Sequence, residues 1–305
     1  MSEAYHIISD GSCDLPVELA AEKNITVVPF YVSFDDEHYL KENVEIGIRD
    51  FYQQMVDRKG VYPKSSMPST QDYVDVFLPW AQKGIPVICI CITTKFSGSM
   101  QSALNAREIV HETLPDARIT VIDATVNTVL QGLYVLEAAA LRDSGMEYEA
   151  CVARLEEIKS TGRIFFTVGD MEYLKHGGRI GKVSAVAGSI LGIRPVITLR
   201  EGEIFPSGID RGRKRTTDKA ISLLLDYLAE NGREIKRYSI SIGFGYDYEE
   251  AVAFKKHTLE VLREEGYDVD AASIPIYQIG ATISVHTGPY PLGFGIIEKG
   301  IQDGR

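Results

Sequence analysis

The stretch Gly84-Ile85-Pro86-Val87-Ile88-Cys89-Ile90-Cys91-Ile92-Thr93-Thr94-Lys95-Phe96-Ser97-Gly98-Ser99-Met100-Gln101-Ser102-Ala103 decides the reading of this 305-residue chain. Residues 87–92 are an unbroken apolar run, which suits a strand buried on both faces. Thr93 and Thr94 end it, and Phe96, Ser97 and Gly98 make a turn. From Ser99 onward, Ala103, Ala106, Ile109 and Val110 recur at helical spacing. A strand, a hydroxyl-rich turn and a helix start leave free amides and the positive end of a helix dipole together. That arrangement favours an anion, and a carboxylate is the anion expected here.

The same alternation extends on both sides. Toward the N-terminus, residues 5–9 read as a strand. Asp14 is placed to cap a helix over 15–22, with Pro16 in its first turn. Residues 25–34 are β-rich, residues 46–56 are amphipathic, and Ser69 caps a helix over 70–82. Toward the C-terminus, a strand over 118–123 precedes helices over 125–142 and 148–159. The fold class is therefore α/β: a mostly parallel sheet with flanking helices, and ligands expected beyond the C-terminal strand ends. Asp10, Thr93 and Thr94 fall there.

Composition shifts near residues 160–162, so domains of 1–160 and 161–305 are expected. The second reads as α/β with mixed strands, over 163–168, 196–200, 204–209, 238–243, 269–275, 282–286 and 293–298. Helices are expected over 183–191, 216–231 and 248–265.

A formal charge of −11 argues against general nucleic-acid affinity, although Arg211, Arg213, Lys214 and Arg215 form a local basic run. Cys13, Cys89, Cys91 and Cys151 show neither disulfide nor zinc spacing and read as buried thiols. No signal sequence and no apolar run of membrane-spanning length is seen, so a soluble, cytoplasmic protein is expected.

Two hydroxyl clusters stand out: Ser65, Ser66 and Ser69, then Thr93, Thr94, Ser97 and Ser99. Hydroxyls can donate to a carboxylate, and they can equally cap helices and stiffen turns. His286 precedes Thr287-Gly288-Pro289, where it can bond an anion or stand as an ordinary loop histidine. Gly177-Gly178-Arg179-Ile180-Gly181 matches neither a P-loop nor a dinucleotide fingerprint. Arg179 can reach an anion or a partner protein, or simply follow a helix-ending glycine pair; Arg194 is equally open. Asp10, Asp14 and Asp123 lack metal-binding spacing, so no metal is expected.

Five elements, taken in order, resemble the DegV family of bacterial fatty-acid-binding proteins. They are residues 9–15 (Ser-Asp-Gly-Ser-Cys-Asp-Leu), 65–69 (Ser-Ser-Met-Pro-Ser), 93–103, 173–180 (Tyr-Leu-Lys-His-Gly-Gly-Arg-Ile) and 286–289 (His-Thr-Gly-Pro). The resemblance implies a two-domain DegV-like fold holding one long-chain fatty acid and no cofactor. The tail would lie in an apolar pocket of the N-terminal domain, and the carboxylate near the interdomain cleft. Matched by motif, Ser65, Thr94 and His286 would bind the carboxylate. Ser66, Thr93, Ser97, Gly98 and Arg194 would surround the head group or cleft, and Arg179 would serve the work with a partner kinase.

The family member would not be the catalyst. It would present the acyl carboxylate to a separate ATP-dependent fatty acid kinase subunit, and the acyl phosphate would enter phospholipid synthesis. Lipid transport and transient membrane contact are compatible with that role. Thr93-Thr94 replaces the family's serine pair, Ser65 its threonine and Met67 its glutamine, so acyl selectivity is not inherited. Two other readings stay open: a lipid-responsive regulatory or storage protein, and a stand-alone enzyme acting on a small carboxylated or phosphorylated substrate.

Overall fold

A computed structural model describes residues 5–169, 171–185 and 193–302. The chain opens with β1 (His6–Asp10), α1 (Val17–Glu22), β2 (Ile25–Val28), β3 (Tyr31–Ser33), β4 (Leu40–Lys41), α2 (Ile48–Asp57) and β5 (Lys64–Ser66). Then come α3 (Thr70–Gln82), β6 (Val87–Cys91), α4 (Ser99–Thr113), β7 (Ile119–Asp123), α5 (Thr128–Asp143) and α6 (Tyr148–Ile158). β2, β1, β6 and β7 form, in that order, a wholly parallel sheet. Every residue of β6 is buried, as its apolar run requires, and all four cysteines are buried free thiols. A small antiparallel sheet, β4-β3-β5, sets Ser65 opposite Val32.

Ser69 caps α3 as the sequence indicates: its hydroxyl accepts from the Asp72 amide, and Asp72 answers at the Ser69 amide. Asp14 does not cap α1, whose N-cap is Pro16. It takes a left-handed conformation, φ 51°, at the end of a short 3-10 turn, which turns its carboxylate inward.

The second half continues with β8 (Arg163–Thr167), α7 (Glu172–His176), β9 (Arg194–Arg200), β10 (Glu203–Asp210), α8 (Arg213–Glu230) and β11 (Tyr238–Phe244). It ends with α9 (Tyr248–Glu264), β12 (Ile276–Gln278), α10 (Ala281–Thr287) and β13 (Leu292–Glu298). Its six strands, ordered β10-β9-β8-β13-β11-β12, are antiparallel except for β11 against β12. The fold is thus mixed α/β, with one parallel and one mixed sheet.

Two expected strands are corrected. Residues 282–286 lie in helix α10, and residues 269–275 hold a loop and a 3-10 turn, with β12 beginning at Ile276. Of the helix expected over 183–191, residues 186–191 lie outside the described residues, and 183–185 belong to a 3-10 turn.

α5 joins the halves. It packs against β1 and also against β11 and β13. Glycines permit the close approach: a Cβ at Gly243 would meet Val129 Cγ2 at 3.1 Å, and one at Gly295 would meet Leu130 Cβ at 3.0 Å. One hydrophobic cluster accordingly runs from Ile7 and Ile88 through Leu130 and Leu133 to Ile164, Ile197 and Ile297.

Candidate fatty-acid site

Where the C-terminal rim of the parallel sheet faces the mixed sheet, a cavity of about 270 Å³ remains open. Apolar walls come from both halves: Phe30, Ile92, Phe96 and Val129 from the first, and Ile164, Phe166, Leu199 and Ile204 from the second. Ile279, Ile283 and Phe294 extend the greasy surface, and Gly243 and Gly293 contribute bare backbone. Among the polar side chains on this lining are Ser65, Ser66, Ser97, Arg179 and His286, with Gly98 beside them. An apolar hollow with a few convergent polar atoms suits an amphiphile.

His286 is carried on α10 and brings Nε2 to 3.4 Å from the Ser65 hydroxyl. Its Nδ1 has no hydrogen-bond partner and stands where Gly177 would carry a Cβ. The first glycine of the Gly-Gly-Arg motif therefore makes room for the imidazole. The second, Gly178, turns the chain at φ +66°. Arg179 then reaches across the cavity mouth, donating from Nε (3.1 Å) and Nη2 (3.0 Å) to the Phe96 carbonyl and from Nη1 to that of Gly177. A guanidinium has five N–H donors, so some remain for a ligand.

Burial pushes His286 down to about 4, and the Arg179 charge adds to the effect. The ring is therefore neutral near pH 7, with one nitrogen a donor and the other an acceptor. Arg179 supplies the positive charge; Ser65 and His286 supply neutral donors. Met67, 45% exposed, lies over Gly98, whose Cβ would meet its Sδ at 2.8 Å. An exposed methionine at a pocket mouth gives it a flexible apolar edge.

Not every residue marked by motif reaches the cavity. Ser65, Ser66, Ser97, Gly98, Arg179 and His286 line it, whereas Thr93, Thr94 and Arg194 do not. Thr94 is exposed, and its hydroxyl donates to Asp123 at 2.7 Å, tying the turn to the end of β7. Thr93 is buried against the β9–β10 hairpin, its Oγ1 2.5 Å from where Gly202 would carry a Cβ. Arg194 Nε donates to the Gly169 carbonyl.

Three polar lining residues lie outside the motifs marked in the sequence: Asn127, Thr128 and Thr282. Thr128 opens α5 at φ 51°, a left-handed conformation that the sequence does not announce.

Asp10 is fully buried and does not face the cavity. Its carboxylate accepts from the Ile92 amide, the Ser12 and Ser99 hydroxyls and the Gln131 amide. Burial raises it while these donors hold it down, which is the work of a structural bracket between β1, β6 and α5. Among the described residues no group of three or more His, Cys, Asp or Glu is arranged to hold a metal ion, and no helix is long and apolar enough to cross a membrane.

A stearic-acid-binding protein from Eubacterium ventriosum superposes with a TM-score of 0.91 at 41% identity, covering 97% of this chain and 99% of that one. A DegV family protein from Thermus thermophilus, described by its fatty acid binding, gives 0.85 at 28% identity, covering 98% and 100%. A DegV domain-containing protein from Caldanaerobacter subterraneus is 30% identical over 297 residues, covering 97% of this chain and all of the relative. The DegV family model itself matches residues 4–299, and the chain belongs to the DegV family.

Proposed function

We propose that this protein binds one long-chain fatty acid, with the tail in the apolar hollow and the carboxylate at Ser65, His286 and Arg179. The observation that carries the reading is that union: a largely apolar lining with Ser65, His286 and the Arg179 cation gathered together on it. Ser66, Ser97 and Gly98 would border the head group. Thr94 would act at one remove, through Asp123, by holding the turn in place. Residues 1–160 and 161–305 would each supply part of the wall.

Covering each methylene contributes about 0.8 kcal/mol, so a tail of roughly sixteen carbons gains on the order of 10 kcal/mol before association costs. Head-group contacts then mainly set orientation. A buried tail and a carboxylate at the mouth suit delivery to a second protein, and we extend the proposal to presentation to a separate ATP-dependent kinase that forms the acyl phosphate.

Denaturing mass spectrometry of the gently purified protein should release a fatty acid in near one-to-one amount. Failure to find or load any lipid would sink the reading. Ser65→Ala combined with His286→Gln should weaken palmitate binding about tenfold, the loss of one or two hydrogen bonds to a charged group. Acyl phosphate should form only when kinase, ATP and this protein are all present; turnover without the kinase would favour an enzyme instead.

A further inference from the structure

Two carboxyl side chains are buried together at the start of α10. Asp14 is 6% exposed and Glu42 is 2% exposed. Asp14 Oδ1 and Glu42 Oε1 both crowd the point where Gly280 would carry a Cβ, so they are close neighbours. Glu42 accepts from the Ala281 amide at 2.5 Å, the Thr282 amide at 3.4 Å and the Thr282 hydroxyl at 2.7 Å. Asp14 Oδ2 accepts from the Thr128 hydroxyl at 2.6 Å, while Oδ1 makes no hydrogen bond of normal geometry. No ion pair among the described residues includes either carboxyl. The other titratable groups bearing on them are Asp10 and the buried Tyr52, and neither is cationic.

An ionised Asp14 would thus keep a dry, unpaired oxygen against a second carboxylate, which is costly on both counts. A proton on Oδ1 relieves both penalties: it removes the charge, and it turns the orphan acceptor into a donor beside the Glu42 carboxylate. Burial first and the neighbouring Glu42 second raise Asp14 well above the usual carboxylate range, against the lowering pull of the Thr128 hydroxyl and the Gly280 amide; burial also raises Glu42, while hydrogen bonds to its own donors hold it down.

We propose that Asp14 is a neutral carboxylic acid in the native protein and donates its proton to Glu42, so that the pair carries one negative charge and anchors the helix that positions His286. The two threonines that donate to the pair, Thr128 and Thr282, both line the cavity. Asp14 and Glu42 are therefore positioning residues. The protonation stands by itself, whereas the effect on lipid binding rests on the head-group reading of His286.

Infrared difference spectroscopy of the lipid-free protein at neutral pH tests the proton directly. The wild type should show the deuterium-sensitive carbonyl band of a carboxylic acid, and Asp14→Asn should lose it; absence of the band in the wild type overturns the proposal. An asparagine amide can donate to Glu42 as the acid does. Asp14→Asn should therefore keep palmitate Kd within about threefold of wild type, whereas Asp14→Ala and Glu42→Ala weaken it at least about tenfold. Equal damage from Asn and Ala overturns it.

The His286 imidazole should titrate near 4 in the lipid-free wild type and move toward the ordinary value of about 6.5 in Glu42→Ala. An unmoved titration overturns the positioning role. If the wild type binds no palmitate while the infrared band is present, the fatty-acid reading fails and the shared proton survives.

Discussion

Gly177 shows how much one missing side chain can decide. The imidazole of His286 fills the place of its Cβ, so even alanine must push the ring away from Ser65. Gly177→Ala should leave the thermal transition within a few degrees of wild type yet reduce palmitate binding to nearly that of His286→Gln, as titration calorimetry would show; unchanged affinity would contradict the packing.

His286 also links binding to pH, together with His6, which burial likewise lowers to about 4. The unfolded chain takes up a proton on each ring near pH 6.5, but the fold resists until about 4. The contribution of each ring is therefore intact above about 6.5 and lost as pH falls toward 4. The buried acids Asp10, Asp14 and Glu42, raised in the fold, work in the opposite sense. Comparison with His286→Gln isolates the ring: in urea titrations the variant should gain on the wild type as pH drops through that window, by up to about 1.4 kcal/mol per pH unit. A parallel decline of the two would contradict it.

At the scale of elements, the alternation of strand and helix was legible because β6, α3, α4 and β7 carry their own hydrophobic patterns, and α3 its own cap. α10 was not. Thr282, Ile283, Ser284 and Val285 are three β-branched residues and a serine, and read locally as a strand. Their helix is capped by Glu42, 239 residues earlier, and its inner side packs with Phe51, Tyr52 and Met55. No local window contains that information. The site was legible to the same degree. Ser65 and His286 could be marked by motif for the carboxylate and Arg179 for a partner kinase, but whether Thr94 faced the hollow or Asp123 depended on a hydrogen bond to another strand. The asparagine and threonines at the start of α5 and α10 carried no local mark at all.

For the whole molecule, the decisive feature is that α5 serves two sheets. Its approach to the mixed sheet depends on Gly295, where a Cβ would meet the Leu130 Cα and amide nitrogen at 3.1 Å. Backbone cannot rotate aside as a side chain can, so Gly295→Ala must lift α5 off β13. A loss of about 1–3 kcal/mol is expected from such overpacking, read from denaturant midpoints. Palmitate affinity should fall as well, because Val129 on the same helix lines the hollow. Wild-type stability in this variant would show that α5 is not held as tightly as described.

The four thiols have an experimental use that follows from where they lie. Cys13, Cys89, Cys91 and Cys151 are all buried, and the chain has none after residue 151. An alkylating reagent added to the native protein can reach sulfur only when the first half opens, by itself or together with the core it shares with the second, so its uptake is a stopwatch for that opening.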